Sequence, residues 1–347
     1  MFAGSMVALV TPFKDGKIDW QSLEALVEFH IKNGTNGIVP CGTTGESATL
    51  DHKEHHEVVE RVIKTVNKRV PVIAGTGSNS TAEGVELTKG AEKAGADGAL
   101  MISPYYNRPT QEGIYQHYKK VAESVGIPII IYNIPGRTGS KIEPETLARL
   151  SEIKNVAGVK EATGSVDQAI DVIRLCGDNL AVYSGEDSLT FSLMALGGKG
   201  VISTVANIAP KEMSQLTDAC LKGNWESGRK QQLKLIPLIR SVFLETNPIP
   251  IKTALSLMGK CTGELRLPLT PMSEGNLKRL QQQMAEFGLL WFRWRWASLF
   301  AASAGAWAGR LYVPQLRLPA FGSLRRSINL EARGWERTPV KRQPLDT

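Results

Sequence analysis

From residue 5 to residue 222 the chain alternates short apolar runs with amphipathic stretches. The runs are SMVALVTPF (5–13), GIVPCGTTGE (37–46), VPVIAGTG (70–77), GALMISPYY (98–106), PIIIYNIPG (128–136), VAGVKEA (156–162), LAVYSGE (180–186) and GVISTVANI (200–208). Each is rich in Val and Ile and bounded by Gly or Pro, the pattern of strands buried on both faces. Helix-like segments lie between them and carry start signals: Asp51 before HKEHHEVVERVIKTV, Ser80 before TAEGVELTKGAEKAG, and Glu143-Pro144 before ETLARLSEI. Gly34, Gly95 and Gly126 stand where helix C-caps are expected. Eight β-then-α units at intervals of about 20 to 35 residues predict an α/β (β/α)8 TIM barrel rather than an open doubly wound sheet.

Residues 223–290 contain no further strand-like run and predict a small C-terminal helical domain, with helices starting near Trp225, Pro248 and Ser273. The expected organisation is a barrel over 1–222, the helical domain over 223–290 and an atypical tail over 291–347. Charge sharpens that last boundary. The formal net charge of +7 suggests a nucleic-acid partner, but residues 1–290 hold 31 Lys+Arg against 31 Asp+Glu, and the excess lies wholly in the tail, at 10 against 3. The tail is rich in Arg and Trp, which suit anionic lipid or nucleic acid. Prolines at 314, 319, 339 and 344 break any helical stripe, so the expectation is a disordered or foreign extension with no nucleic-acid or membrane partner. The opening MFAGSMVALVTPFKDG has too short an apolar run for a signal peptide, and the four dispersed cysteines suggest neither a disulfide framework nor a zinc site; both point to a cytoplasmic protein.

In such barrels chemistry collects where strands end and βα loops begin. Lys160 closes the sixth run. An ordinary lysine lays its stem on apolar neighbours and sends its head to water or to a carboxylate such as Glu161. At a barrel mouth the lost hydration instead lowers its pKa from ~10.4 toward 7 to 8, leaving free amine that can attack a ketone and form a Schiff base. The iminium acidifies a neighbouring methyl group, and the resulting enamine attacks aldehydes with no metal or cofactor. Tyr132, in YNIP on the adjacent strand, is placed to carry protons. GTTGE (42–46) offers backbone N–H groups and the hydroxyls of Thr43 and Thr44 to a small carboxylate. Arg137, in the GRTG loop, is suited to clasp a second carboxylate. HKEHHE (52–57) puts His52 and His56 one helical turn apart but matches no zinc motif, so no metal is expected.

Taken in order, GTTGE, PYYNRP, YNIPGRTG, VKEATG, GGKGVIS and NPIPIK closely resemble the dihydrodipicolinate synthase family of pyruvate-dependent class I aldolases, over residues 1–290. The resemblance implies a Schiff base between Lys160 and pyruvate, and a proton relay of Thr43, Tyr132 and Tyr106, the last reaching the site of a neighbouring subunit. It implies Thr44, Gly185 and Ile202 around pyruvate, and Arg137 on the carboxylate of L-aspartate semialdehyde. A tight homodimer, commonly paired into a homotetramer, is implied too. So is L-lysine as an inhibitor, held at the dimer interface by Ser47, Ala48, His52, His55, Gly77, Asn79, Glu83 and Tyr105. Sister lyases of sialic acid typically carry serine where Thr43 stands and lack the GRTG arginine, which favours the synthase over N-acetylneuraminate lyase.

Overall fold

The computed structural model describes residues 2–290. Elements follow in the order β1 (Gly4–Ala8), the two-residue hairpin strands β2 (Phe13–Lys14) and β3 (Lys17–Ile18), α1 (Trp20–Lys32), β4 (Gly37–Val39), α2 (His52–Val66), β5 (Ile73–Gly75) and α3 (Thr81–Ala94). Next come β6 (Gly98–Ile102), α4 (Gln111–Ala122), β7 (Ile129–Asn133), the single turn α5 (Pro135–Thr138), α6 (Pro144–Ser151), β8 (Val156–Glu161), α7 (Val166–Cys176), β9 (Ala181–Ser184) and α8 (Thr190–Ala195). The chain continues through β10 (Gly200–Ser203) and α9 (Pro210–Leu221) to three further helices, α10 (Trp225–Ser241), α11 (Ile249–Leu257) and α12 (Glu274–Phe287).

Eight parallel strands hydrogen-bond in the order β4-β1-β10-β9-β8-β7-β6-β5. A parallel bridge between Ile38 and Val72 joins the two ends, so the sheet closes into a barrel. Each of the eight apolar runs contributes one strand. Alternation along a strand sorts its side chains between two cores. Met6, Ile130, Tyr132, Tyr183 and Ile202 fill the barrel interior, while Ile129, Ile131, Val159 and Val182 face the helices.

The helix starts obey local chemistry. Asp51 accepts from the backbone of Glu54 while Glu54 reaches back to the backbone of Asp51, a reciprocal capping box that fixes the entry to α2. Gly95 closes α3 in the left-handed conformation that glycine adopts at no steric cost. Gly126 does not cap α4: that helix ends at Ala122 with Glu123 as its cap, and the Gly126 N–H donates to Glu92 Oε1 across the inter-helix gap. The three helices after α9 begin beside Trp225, Pro248 and Ser273. Their Leu235, Ile251, Leu255 and Leu280 share one apolar cluster with Val7 and Ile38 of the barrel, so residue 222 ends the βα repeat without ending the core. The expectations for residues 291–347 lie outside the described residues. Among the described residues no helix is long and apolar enough to cross a membrane.

Candidate active site

Strand register sets the central pair. Tyr132 on β7 and Lys160 on β8 are direct partners in the parallel ladder, and Lys160 pairs on its other side with Tyr183 of β9. Tyr132 and Lys160 line one cavity inside the barrel, whereas the Tyr183 hydroxyl reaches the opposite end and donates to the Phe2 carbonyl ahead of β1 at 2.9 Å. Lys160 is 5% exposed, and its Nζ lies 4.1 Å from the centre of the Tyr132 ring. Among the described residues no carboxylate forms an ion pair with it. Burial therefore dominates and lowers its pKa to about 8, with Asp187 and Glu186 opposing that shift through their charge and Arg137 adding to it. Burial likewise pushes the Tyr132 hydroxyl up to about 12, tempered by the Arg137 charge and by the neighbouring Thr43 hydroxyl. The phenol stays protonated where the amine begins to lose its proton.

A cavity of about 40 Å³ opens at this amine, lined by Thr43, Thr44, Tyr132, Arg137, Lys160 and Gly185. Gly185 is sterically required. A Cβ there would sit 2.5 Å from Ala162 Cβ and 3.1 Å from Lys160 Cγ, displacing the reactive side chain. Thr44 is buried, and its Oγ1 accepts from Asn247 Nδ2 at 3.0 Å. Arg137 sits on the helical turn α5 rather than in an irregular loop, and its Nη2 donates to the Asn247 carbonyl at 3.0 Å.

Ile202 and Tyr106 do not line this cavity within the single chain. Ile202 is 1% exposed and packs within the interior cluster beside Met6 and Tyr183; it is not among the side chains lining the cavity. Tyr106 is 89% exposed and its backbone is left-handed, with φ of 72°, so within one chain its hydroxyl does not join Tyr132 and Thr43.

A second, larger groove of about 440 Å³ adjoins the first and shares Thr43, Tyr132, Arg137 and Asn247 with it. The chemistry belongs to the smaller space, which alone holds Lys160. Along the larger groove run Ser47, Ala48, His52, His55, Gly77, Glu83 and Tyr105. Asn79 is off the wall but donates to the Tyr105 carbonyl at 3.1 Å. His52 Nε2 contacts Glu83 Oε1 at 2.6 Å, and Ser78 donates to the same carboxylate. His55 Nε2 meets the Gly75 carbonyl at 2.8 Å, leaving its buried Nδ1 without a partner. Among the described residues no group of three or more His, Cys, Asp or Glu side chains is set for a metal ion.

Several site groups escaped the sequence reading. Asp187 is fully buried beside Lys160 and accepts from the backbone N–H groups of Thr204 and Val205 at 3.1 and 2.8 Å, while burial raises its pKa. Glu186, on the cavity wall, is raised by burial and by Asp187. Both sit at the end of the seventh run, where strand-end position was the available signal. Asn247 and Lys252 lie in NPIPIK, a motif noted without roles for its members.

The Dihydrodipicolinate synthetase family model matches residues 1–286. The 4-hydroxy-tetrahydrodipicolinate synthase of Geotalea uraniireducens is 57% identical over 290 residues, 84% of this chain and 100% of that enzyme. Its counterpart in Syntrophus aciditrophicus is 59% identical over the same span, again 84% of this chain and 100% of the relative. Among solved structures, the chloride-inhibited dihydrodipicolinate synthase of Acinetobacter baumannii, complexed with pyruvate, superposes with a TM-score of 0.82 at 48% identity, covering 84% of this chain and 100% of that one. The enzyme from Cyanidioschyzon merolae with lysine bound gives 0.81 at 40% identity, covering 83% and 99%. With a closed eight-stranded barrel, a buried amine at its mouth and these matches over nearly all of the described residues, the chain belongs to the dihydrodipicolinate synthetase family.

Proposed function

We propose that the chain condenses pyruvate with L-aspartate semialdehyde to give 4-hydroxy-tetrahydrodipicolinate. One observation carries the reading: a buried lysine with no paired carboxylate among the described residues, its pKa drawn down to about 8, faces a protonated tyrosine at the same level of the barrel. The free amine of Lys160 adds to the keto carbon of pyruvate, and protonation of the resulting hydroxyl expels water to leave an iminium. Loss of a proton from the methyl carbon gives the enamine, whose carbon attacks the aldehyde. The semialdehyde's own amine then attacks the iminium carbon, closing the ring and releasing Lys160. Tyr132 and Thr43 are the proton carriers for these steps, both lining the cavity beside the amine. Thr44 and Gly185 bound the keto acid, and Arg137 offers a bidentate fork to the semialdehyde carboxylate. The relatives named above support the synthase and not a sugar-acid lyase.

Assembly and regulation follow from the same reading. Tyr106 completes the relay only in a neighbouring subunit, which requires a homodimer, alone or paired into a tetramer; its exposure in the single chain supports this. Ser47, Ala48, His52, His55, Gly77, Asn79, Glu83 and Tyr105 would hold L-lysine as an inhibitor, the Glu83 carboxylate suiting an ammonium group. The groove they border and the lysine-bound relative support that assignment. Unchanged initial rates across a lysine titration would remove it.

Borohydride reduction with pyruvate, followed by peptide mass analysis, tests the central step. A pyruvate-derived mass gain is expected on the peptide containing Lys160 and on none in Lys160→Ala. Modification of a different peptide would overturn the assignment.

A further inference from the structure

The loop that carries Thr43 and Thr44 is fastened to the far end of the described chain by buried polar contacts. Glu46, three residues past Thr43, is 4% exposed and has a left-handed backbone with φ of 53°. Cys41, at the other end of the loop, is left-handed as well, with φ of 55°. Both conformations are costly for residues with a side chain and persist only where the surroundings impose them. The surroundings here are specific. Glu46 Oε1 accepts from Lys252 Nζ at 2.5 Å, and Oε2 accepts from the Arg266 backbone N–H at 3.2 Å. The paired side chains are 0% and 1% exposed, and the Lys252 ammonium also lies 4.0 Å from the centre of the Phe13 ring.

Stability alone does not explain such a pair, because two apolar side chains of equal volume would avoid the desolvation that a buried ion pair must overcome. Its location suggests a reason. The Glu46 N–H donates to the Thr43 carbonyl at 3.1 Å and the Ser47 N–H to the Gly42 carbonyl at 3.3 Å, so any displacement of Glu46 is passed to Thr43 through the loop's own bonds. Five residues before Lys252, Asn247 acts on the other two groups: its side-chain amide donates to Thr44 Oγ1, and its carbonyl receives Arg137. A single stretch, residues 247–252, thereby touches the loop of the relay threonine, the Thr44 hydroxyl and the semialdehyde-binding arginine.

We infer that Glu46, Lys252 and Asn247 are positioning residues, and that the buried Glu46–Lys252 pair together with Asn247 sets the geometry of proton transfer while leaving capture of pyruvate to Lys160. The inference rests on the catalytic reading above. Small displacements of reacting groups cost rate far more than they cost binding, which separates this role from a merely structural one.

The test uses the full chain with Glu46→Ala, Glu46→Gln and Asn247→Ala, measuring steady-state kinetics and the extent of borohydride trapping at saturating pyruvate. Glu46→Ala removes both acceptor oxygens, and kcat is expected to fall about tenfold or more while KM for pyruvate stays within about twofold and trapping on Lys160 is retained. Glu46→Gln keeps an acceptor oxygen and is expected to restore kcat to within about threefold of the unmodified chain. Unchanged kcat in Glu46→Ala, or trapping lost in proportion to kcat, overturns the inference. If Glu46→Ala does not fold, Asn247→Ala decides it: a lowered kcat with trapping retained supports the role, and an unchanged kcat overturns it. Failure of the unmodified chain to trap pyruvate defeats the catalytic reading itself, a result distinct from any of these.

Discussion

Among the described residues two lysines are buried, and their surroundings treat them in opposite ways. Lys252 is met by Glu46 at 2.5 Å, with the Phe13 ring alongside, so that burial draws its pKa down while the carboxylate resists. Lys160 has no such partner among the described residues; Asp187 and Glu186 oppose its deprotonation only through their charge. Lys252 shares its charge with a neighbour and becomes a tether. Lys160 is left to give its charge up and becomes a reagent. A buried lysine is therefore informative only together with what stands within hydrogen-bonding reach of its nitrogen.

The largest effect comes from removing the reagent. Lys160→Ala is expected to lower kcat by about a thousandfold or more while the chain stays folded, checked by steady-state assay alongside circular dichroism. Lys252→Met attacks the tether and strands a carboxylate in the core, with an expected loss of about 3–5 kcal/mol in unfolding free energy, read from a urea titration. The mirror substitution sharpens the contrast. The drop of the Lys160 pKa from 10.5 to about 8 means that keeping this ammonium buried at neutral pH costs on the order of 3 kcal/mol. Lys160→Met should accordingly raise stability at pH 7 by about 1–3 kcal/mol, and a loss there would contradict the unpaired amine.

The smallest effect is a shape in pH. Because the folded pKa lies below the unfolded value, the penalty is fully present below about pH 8 and disappears as pH rises toward 10.5. The stability gain of Lys160→Met should fade over that interval. Over the lower end of it, kcat/KM for pyruvate should climb with a midpoint near pH 8, as free amine accumulates. A flat profile from pH 6 to 9 would leave the amine without its assigned role.

The barrel was legible because its signals are local. Eight Val- and Ile-rich runs, their Gly and Pro borders and their spacing needed no knowledge of distant contacts, and Lys160 stood out by interrupting such a run at a strand end. Tyr132 was legible for the same reason, as a strand-end residue one unit earlier. Glu46, Asn247 and Lys252 lacked roles in that reading because their meaning lies in contacts 203 and 206 residues apart in sequence, which no periodicity encodes. Ile202, named from the family pattern, lies on β10 in the interior cluster that also holds Tyr132. Gly126 failed as a cap because its partner is the Glu92 carboxylate on the neighbouring helix.

The pairing of Tyr132 with Lys160 has a companion one residue on, where Asn133 opposite Glu161 faces the helices and the amide donates to the carboxylate at 3.2 Å. A single amino acid inserted into β7 ahead of Tyr132 would turn the phenol outward and its neighbour inward, and one inserted into β8 ahead of Lys160 would do the same to the amine. Length variation among descendants of this chain should therefore spare β7 and β8 and accumulate in the connections, the stretch between these two strands included.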